Sequence, residues 1–150
     1  MAKTIWSEAQ QKELSNRLHS LTAESVRVWG KMDVAQMLKH IDIAYKNALG
    51  EIEVKVHPLS KIVSFRPVKY TVVYALPFQK NLMTASEYKV DGKYNFQSVH
   101  QEFLKTFERV ISITDTERFN HHPLFGKLND QEWGILLYKH LGHHLRQFGA

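Results

Sequence analysis

Trp133-Gly134-Ile135-Leu136-Leu137-Tyr138-Lys139-His140-Leu141-Gly142-His143-His144-Leu145-Arg146-Gln147-Phe148 is the stretch that decides the reading of this chain. At ~100° of rotation per residue, Trp133, Leu137, Leu141 and Phe148 fall within about 80° of one another on a helix. His140 and His144 lie on or beside that same arc, about 40° apart, while Lys139 and Arg146 point the opposite way. A lone buried histidine is usually a hydrogen-bonded core residue. Two in register bring metal ligation into contention, because imidazoles at i and i+4 can reach one divalent ion. No Glu follows the first of them, which excludes the HExxH arrangement of metalloproteases. A third ligand must come from another element.

Working outward, three more amphipathic helices are expected. Ser7-Glu8-Ala9-Gln10 reads as a capping box opening a helix that buries Leu14, Leu18 and Leu21 and ends near Thr22. Asp33-Val34-Ala35-Gln36 reads as another, with Val34, Met37, Ile41, Ala44 and Ala48 on one stripe and Gly50 as terminator. The next begins near Asn95, turns Phe96, Val99, Phe103, Phe107 and Val110 inward, and runs to about Ser112. The last is capped by Asn129-Asp130-Gln131-Glu132 and closes at Gly149. Residues 51–94 are less regular. Glu51 to His57 alternates like a short strand and Tyr70 to Tyr74 is β-rich, but the favoured reading is a short irregular helix within Leu59–Ala75, interrupted at Pro67, and then a loop through Asp91-Gly92. The expected fold is all-α: one four-helix-bundle domain spanning 1–150, with a crossover long enough for helices two and three to run parallel.

Composition narrows the function. The chain has 150 residues, 43% hydrophobic and 23% charged, which suits one soluble globular domain. No apolar run approaches the ~18–20 residues of a membrane span, and the first residues lack the apolar core of a signal peptide, so no membrane partner and a cytoplasmic location are expected. Cys is absent, which excludes disulfides and thiolate metal sites. The formal charge is +5, but Lys and Arg are scattered, so nucleic acid is not an expected partner. Nine histidines are the compositional outlier.

His40 is the candidate for the missing ligand. It lies at the edge of the second helix's stripe, roughly 10 Å from that helix's start by a ~1.5 Å rise per residue. His144 and His140 lie roughly 6 and 12 Å from the end of the last helix. Antiparallel packing of these helices therefore brings all three rings to one level. A three-His tripod leaves a coordination position open, as in catalytic rather than structural metal sites. Protons competing for ordinary imidazoles would weaken binding below about pH 6.5. His100 comes to a similar level and reads as a further ligand, a proton shuttle or a rim residue. His143 lies on the helix flank, within reach of a supporting hydrogen bond. His19 points away from its helix's apolar face. His121-His122-Pro123-Leu124-Phe125-Gly126 reads as structural, shaping the entry to the last helix. Asp33, Asp42 or Glu102 could add a carboxylate only if folding turned one inward, and Asp42 faces away from Met37.

Trp29-Gly30-Lys31-Met32 leading into Gln36-Met37-Leu38-Lys39-His40, then His122-Pro123-Leu124-Phe125-Gly126, Trp133 and His140 to Phe148, resemble the DinB/YfiT-like superfamily over nearly the whole chain, with 51–94 contributing least. The resemblance implies an up-down-down-up four-helix bundle with a long crossover between helices two and three. It also implies a divalent metal held by His40, His140 and His144. Zinc or nickel is expected, and iron and manganese also suit imidazole. Characterised members of the superfamily include transferases of low-molecular-weight thiols. The expectation is thus a metal-dependent thiol S-transferase acting on an electrophilic small molecule, or a metal-dependent hydrolase; a non-catalytic binding or stress-response module is the alternative. A homodimer through an exposed bundle face is compatible with the sequence.

Overall fold

A computed structural model describes residues 2–80, 86–113 and 119–150. It is all-helical, with no strand among those residues. Four long helices are α1 (Glu8–His19), α2 (Val34–Ala48), α5 (Phe96–Ile111) and α6 (Asp130–Gln147). Between α2 and α5 the chain forms two short helices, α3 (Ser60–Val63) and α4 (Arg66–Tyr70), then a π-turn (Thr71–Ala75) and a 3-10 turn (Ser86–Tyr88). No helix among the described residues is long and apolar enough to cross a membrane.

The caps explain where the long helices begin. Asp33 accepts from Gln36 N at 2.8 Å while Gln36 returns a bond to Asp33 N, so both ends of the expected box are made. Asn129 and Glu132 do the same for α6. The box expected at Ser7 does not form, since the Ser7 side chain makes no cap bond. The preceding residues are drawn onto α6 instead: Ile5 N donates to Gly134 O at 2.9 Å and Trp6 Nε1 to Asp130 O at 2.6 Å. A Cβ at position 134 would strike Thr4 and Trp6, so glycine there admits this close approach. The first helix also stops at His19, short of Thr22, although Leu21 stays buried.

α2 packs against both α5 and α6, and α1 against α6. The expected stripe of α2 is buried, with Ala44 only partly so, but so are Leu38, Asp42 and Tyr45, because a helix with two neighbours has two inward faces. Asp42, expected to face outward, is 1% exposed against α5, where its Oδ1 accepts from Thr106 Oγ1 at 2.7 Å and its Oδ2 meets Lys46 Nζ at 2.8 Å. Glu102 pairs with Lys46 and Lys39 across the same interface. The alternating and β-rich segments of 51–74 form no strand; Pro67 sits in the first turn of α4, as its missing N–H and fixed φ favour. Lys139, pointing away from the core, reaches this crossover and donates to the carbonyls of Val72, Val73 and Leu76. Leu137 is 4% exposed inside the core. Leu137→Ala is expected to cost about 2–5 kcal/mol in a urea melt, with an unchanged m-value.

Candidate metal centre

His40, His140 and His144 converge, as the helical levels predict. Each offers one ring nitrogen, and the three atoms lie within 4.8 Å of one another. His40 and His144 are buried and His140 is half-buried. Ring centroids stand 5.3 Å apart for His40–His140, 4.8 Å for His40–His144 and 5.1 Å for His140–His144. The Nε2 atoms of His40 and His140 are 3.3 Å apart. Two nitrogens at ~2.0–2.1 Å from a tetrahedral ion are separated by roughly 3.3–3.4 Å, so the spacing fits a shared ion of that kind. An all-imidazole donor set suits zinc, nickel, copper or iron and disfavours calcium and magnesium, which prefer oxygen.

Two of the three rings are oriented by bonds behind them. His40 Nδ1 lies 2.8 Å from the Tyr88 carbonyl oxygen, which can only accept. Nδ1 therefore carries the proton and Nε2 presents a lone pair. Tyr88 is held by its hydroxyl, which donates to Asn47 Oδ1 at 3.0 Å, and Asn47 in turn donates to Ile52 O at 2.7 Å. His144 Nδ1 faces Gln147 Oε1 at 2.8 Å. Such partners behind a ligand fix its ring and raise its basicity.

Electrostatics keep the cluster neutral. Burial pushes the His40 ring below its ordinary value, with the Tyr88 carbonyl opposing. Burial drives His144 down to about 3, the field of His40 adds to this, and the bond to Gln147 opposes it. His140 is also held well below its ordinary value by burial, reinforced by His144 and His40. Unprotonated rings at neutral pH are the form that binds metal.

The other histidines separate from this group. His100 is not among the converging rings: its Nε2 bonds Leu18 O at 2.9 Å and its ring stacks on Phe96. His19 is exposed and bonds its own helix at Ser15 O. His143 packs edge-on to His144 and lies between Trp29 and Phe78. His122 accepts from Leu124 N and Phe125 N and forms a bridge with Gly126, the structural part expected of it. Asp33 caps α2, and Asp42 and Glu102 are committed to the α2–α5 interface. Phe78 covers His140 and His143 at 5.5 and 6.0 Å between centroids. Sequence reasoning missed Tyr88, Gln147 and Phe78. Gln147 was findable, three residues beyond His144 on the same helix face; a backbone carbonyl such as that of Tyr88 leaves no trace in side-chain pattern.

The family model described as "Protein of unknown function (DUF1569)" matches residues 7–150. No curated protein and no solved structure matches the chain.

Proposed function

The chain belongs to the DUF1569 family, and we propose that it is a divalent-metal-dependent enzyme with an open three-His site, transferring a low-molecular-weight thiol to an electrophilic small molecule. The observation that carries this reading is the convergence of His40, His140 and His144 within 4.8 Å, with His40 and His144 already turned nitrogen-first. The fold reading beneath it is the up-down-down-up four-helix bundle of the DinB/YfiT-like superfamily. Contacts in ascending register support that topology for α1 with α6 (Glu13–Tyr138, Arg17–Gly142) and for α2 with α5 (Lys39–Glu102, Asp42–Thr106). Contacts in descending register support it for α2 with α6 (His40–His144, Tyr45–Leu137).

The three Nε2 atoms would hold the ion, zinc or nickel by their chemistry. Bound there, a divalent ion supplies a positive centre that favours thiolate over thiol. Three neutral imidazoles add no negative charge to offset it. Phe78 shields one side of the cluster from water. In the reaction the thiol sulfur bonds to the electrophilic carbon, the leaving group departs with its electron pair, and the thiol proton passes to solvent. A thiol substrate calls for a reducing compartment, which supports a cytoplasmic location. Hydrolysis of a small-molecule substrate is the variant reaction of the same site.

Elemental analysis of protein purified without an affinity tag is expected to find a stoichiometric transition metal. The loaded protein is expected to conjugate a thiol to monochlorobimane or a halonitrobenzene faster than chelated protein. A second reading follows from the same 3.3 Å contact, which also satisfies an imidazole–imidazole hydrogen bond: a non-catalytic small-molecule-binding or stress-response module. Protein that takes up no ion even after reloading would sink the first reading and leave the second.

A further inference from the structure

Trp29 and Gly30 have no part in the function above, yet they meet Gln147 behind His144. Gln147 is 4% exposed, and its Nε2 donates to the Trp29 carbonyl at 2.9 Å. An amide nitrogen only donates and a carbonyl only accepts, so this bond fixes which way round the amide lies. Its oxygen is thereby the atom facing His144 Nδ1 at 2.8 Å. The turn is itself tied to α6, since Val28 N donates to Gln147 O at 2.7 Å. Gly30 adopts φ +84°, a left-handed conformation that other residues resist, and a Cβ there would run into Gln147 Nε2. Both its backbone and its missing side chain are therefore required where the amide seats.

We propose that Gln147 is a positioning residue: seated by the Trp29-Gly30 turn, it holds His144 as the tautomer whose bare Nε2 points at His40 and His140. The consequence for ion affinity rests on the metal reading of this site, whereas the tautomer itself does not. A ligand left free to choose its protonated nitrogen must first be reordered, and supporting partners of this kind are worth about 10–100-fold in metal affinity.

The test uses the full chain and two readouts. Imidazole 15N NMR of metal-free wild type is expected to show His144 protonated at Nδ1, and Gln147→Leu to show a mixture or the Nε2-protonated form. Zinc affinity, read by competition with a chromophoric chelator, is expected to fall about 10–100-fold in Gln147→Leu. Gln147→Glu keeps an oxygen for the ring while losing the donor to Trp29, and is expected to retain more affinity than Gln147→Leu, as an acceptor role requires. Gly30→Ala alters neither His144 nor Gln147 and is expected to weaken zinc in the same direction. Equal losses in Gln147→Leu and Gln147→Glu, both folded by circular dichroism, would mean that Gln147 merely packs and would overturn the proposal. If wild type takes up neither zinc nor nickel, the metal reading fails and NMR alone decides: Nε2-protonated His144 in wild type overturns the positioning role, and Nδ1-protonated His144 upholds it.

Discussion

His140→Ala/His144→Ala protein is expected to lose its ion altogether and, with it, thiol conjugation above the uncatalysed rate. Both rings are withdrawn from a group of three, leaving His40 alone on α2. Structural zinc sites of about four ligands release ~10–16 kcal/mol on binding, so two ligands carry roughly 5–8 kcal/mol, or on the order of 10^4–10^6 in affinity. The variant should nevertheless fold. The substituted side chains lie beside the apolar core built by Leu137, Leu141 and Leu145, not within it, and buried imidazoles add little cohesion of their own. Removing them also eliminates two groups that resist protonation when buried, so the variant is expected to hold its structure at mildly acid pH better than metal-free wild type. Elemental analysis, isothermal titration with zinc and the conjugation assay check the first expectation. Metal content and rate equal to wild type would remove the enzyme reading.

Acid is expected to unfold the metal-free wild-type protein far above the pH at which most folded domains fail. His144 and His122 both sit near 3 because burial penalises their charged forms, and His40, His140 and His143 are lowered for the same first reason. In the unfolded chain each returns to about 6.5. Between those values the unfolded state binds protons that the folded state refuses, so stability rises with pH and falls on acidification. The contribution is complete above about pH 6.5, shrinks below it, and stops shrinking once pH passes the folded value near 3. Each fully suppressed ring contributes ~1.4 kcal/mol per pH unit, so His144 and His122 together set a slope of about 3 kcal/mol per unit. Against a typical total of 5–15 kcal/mol, that slope alone consumes the stability within a few units. Urea midpoints between pH 7 and 5 are the discriminating measurement, because most carboxylates stay ionised there. A midpoint that does not move over that range would contradict the burial of neutral rings. Rings this reluctant to charge should keep an ion to lower pH than ordinary imidazoles would, so its release is expected to follow unfolding rather than proton competition at about pH 6.5.

The helical content and its two strongest starts were legible because Asp33 and Asn129 act locally, on backbone groups within three residues. Ser7 shows where local reasoning ends, since contacts with α6, more than a hundred positions away, decide its neighbours' path. Asp42 fails for a related reason. A single apolar stripe describes a helix with one neighbour, and α2 has two. The three ligand candidates were legible because rise and rotation alone set their levels on straight helices. His100 had the right level and the wrong bearing, turning to Leu18 rather than to the cluster. Crossover structure was least readable, because segments such as 59–75 take their form from distant anchors, among them Lys139.

Tyr88 touches His40 through a main-chain oxygen, an atom every amino acid possesses. Its side chain enters through the hydroxyl that ties the segment to Asn47, so an exchange must keep such a donor to keep the imidazole's partner in place, and inserting or deleting a single neighbour would carry the oxygen away. The segment around Tyr88 is thus bound in itinerary by one main-chain atom and in spelling by one hydroxyl. An engineer redesigning it for a new substrate has that tether and its length to preserve.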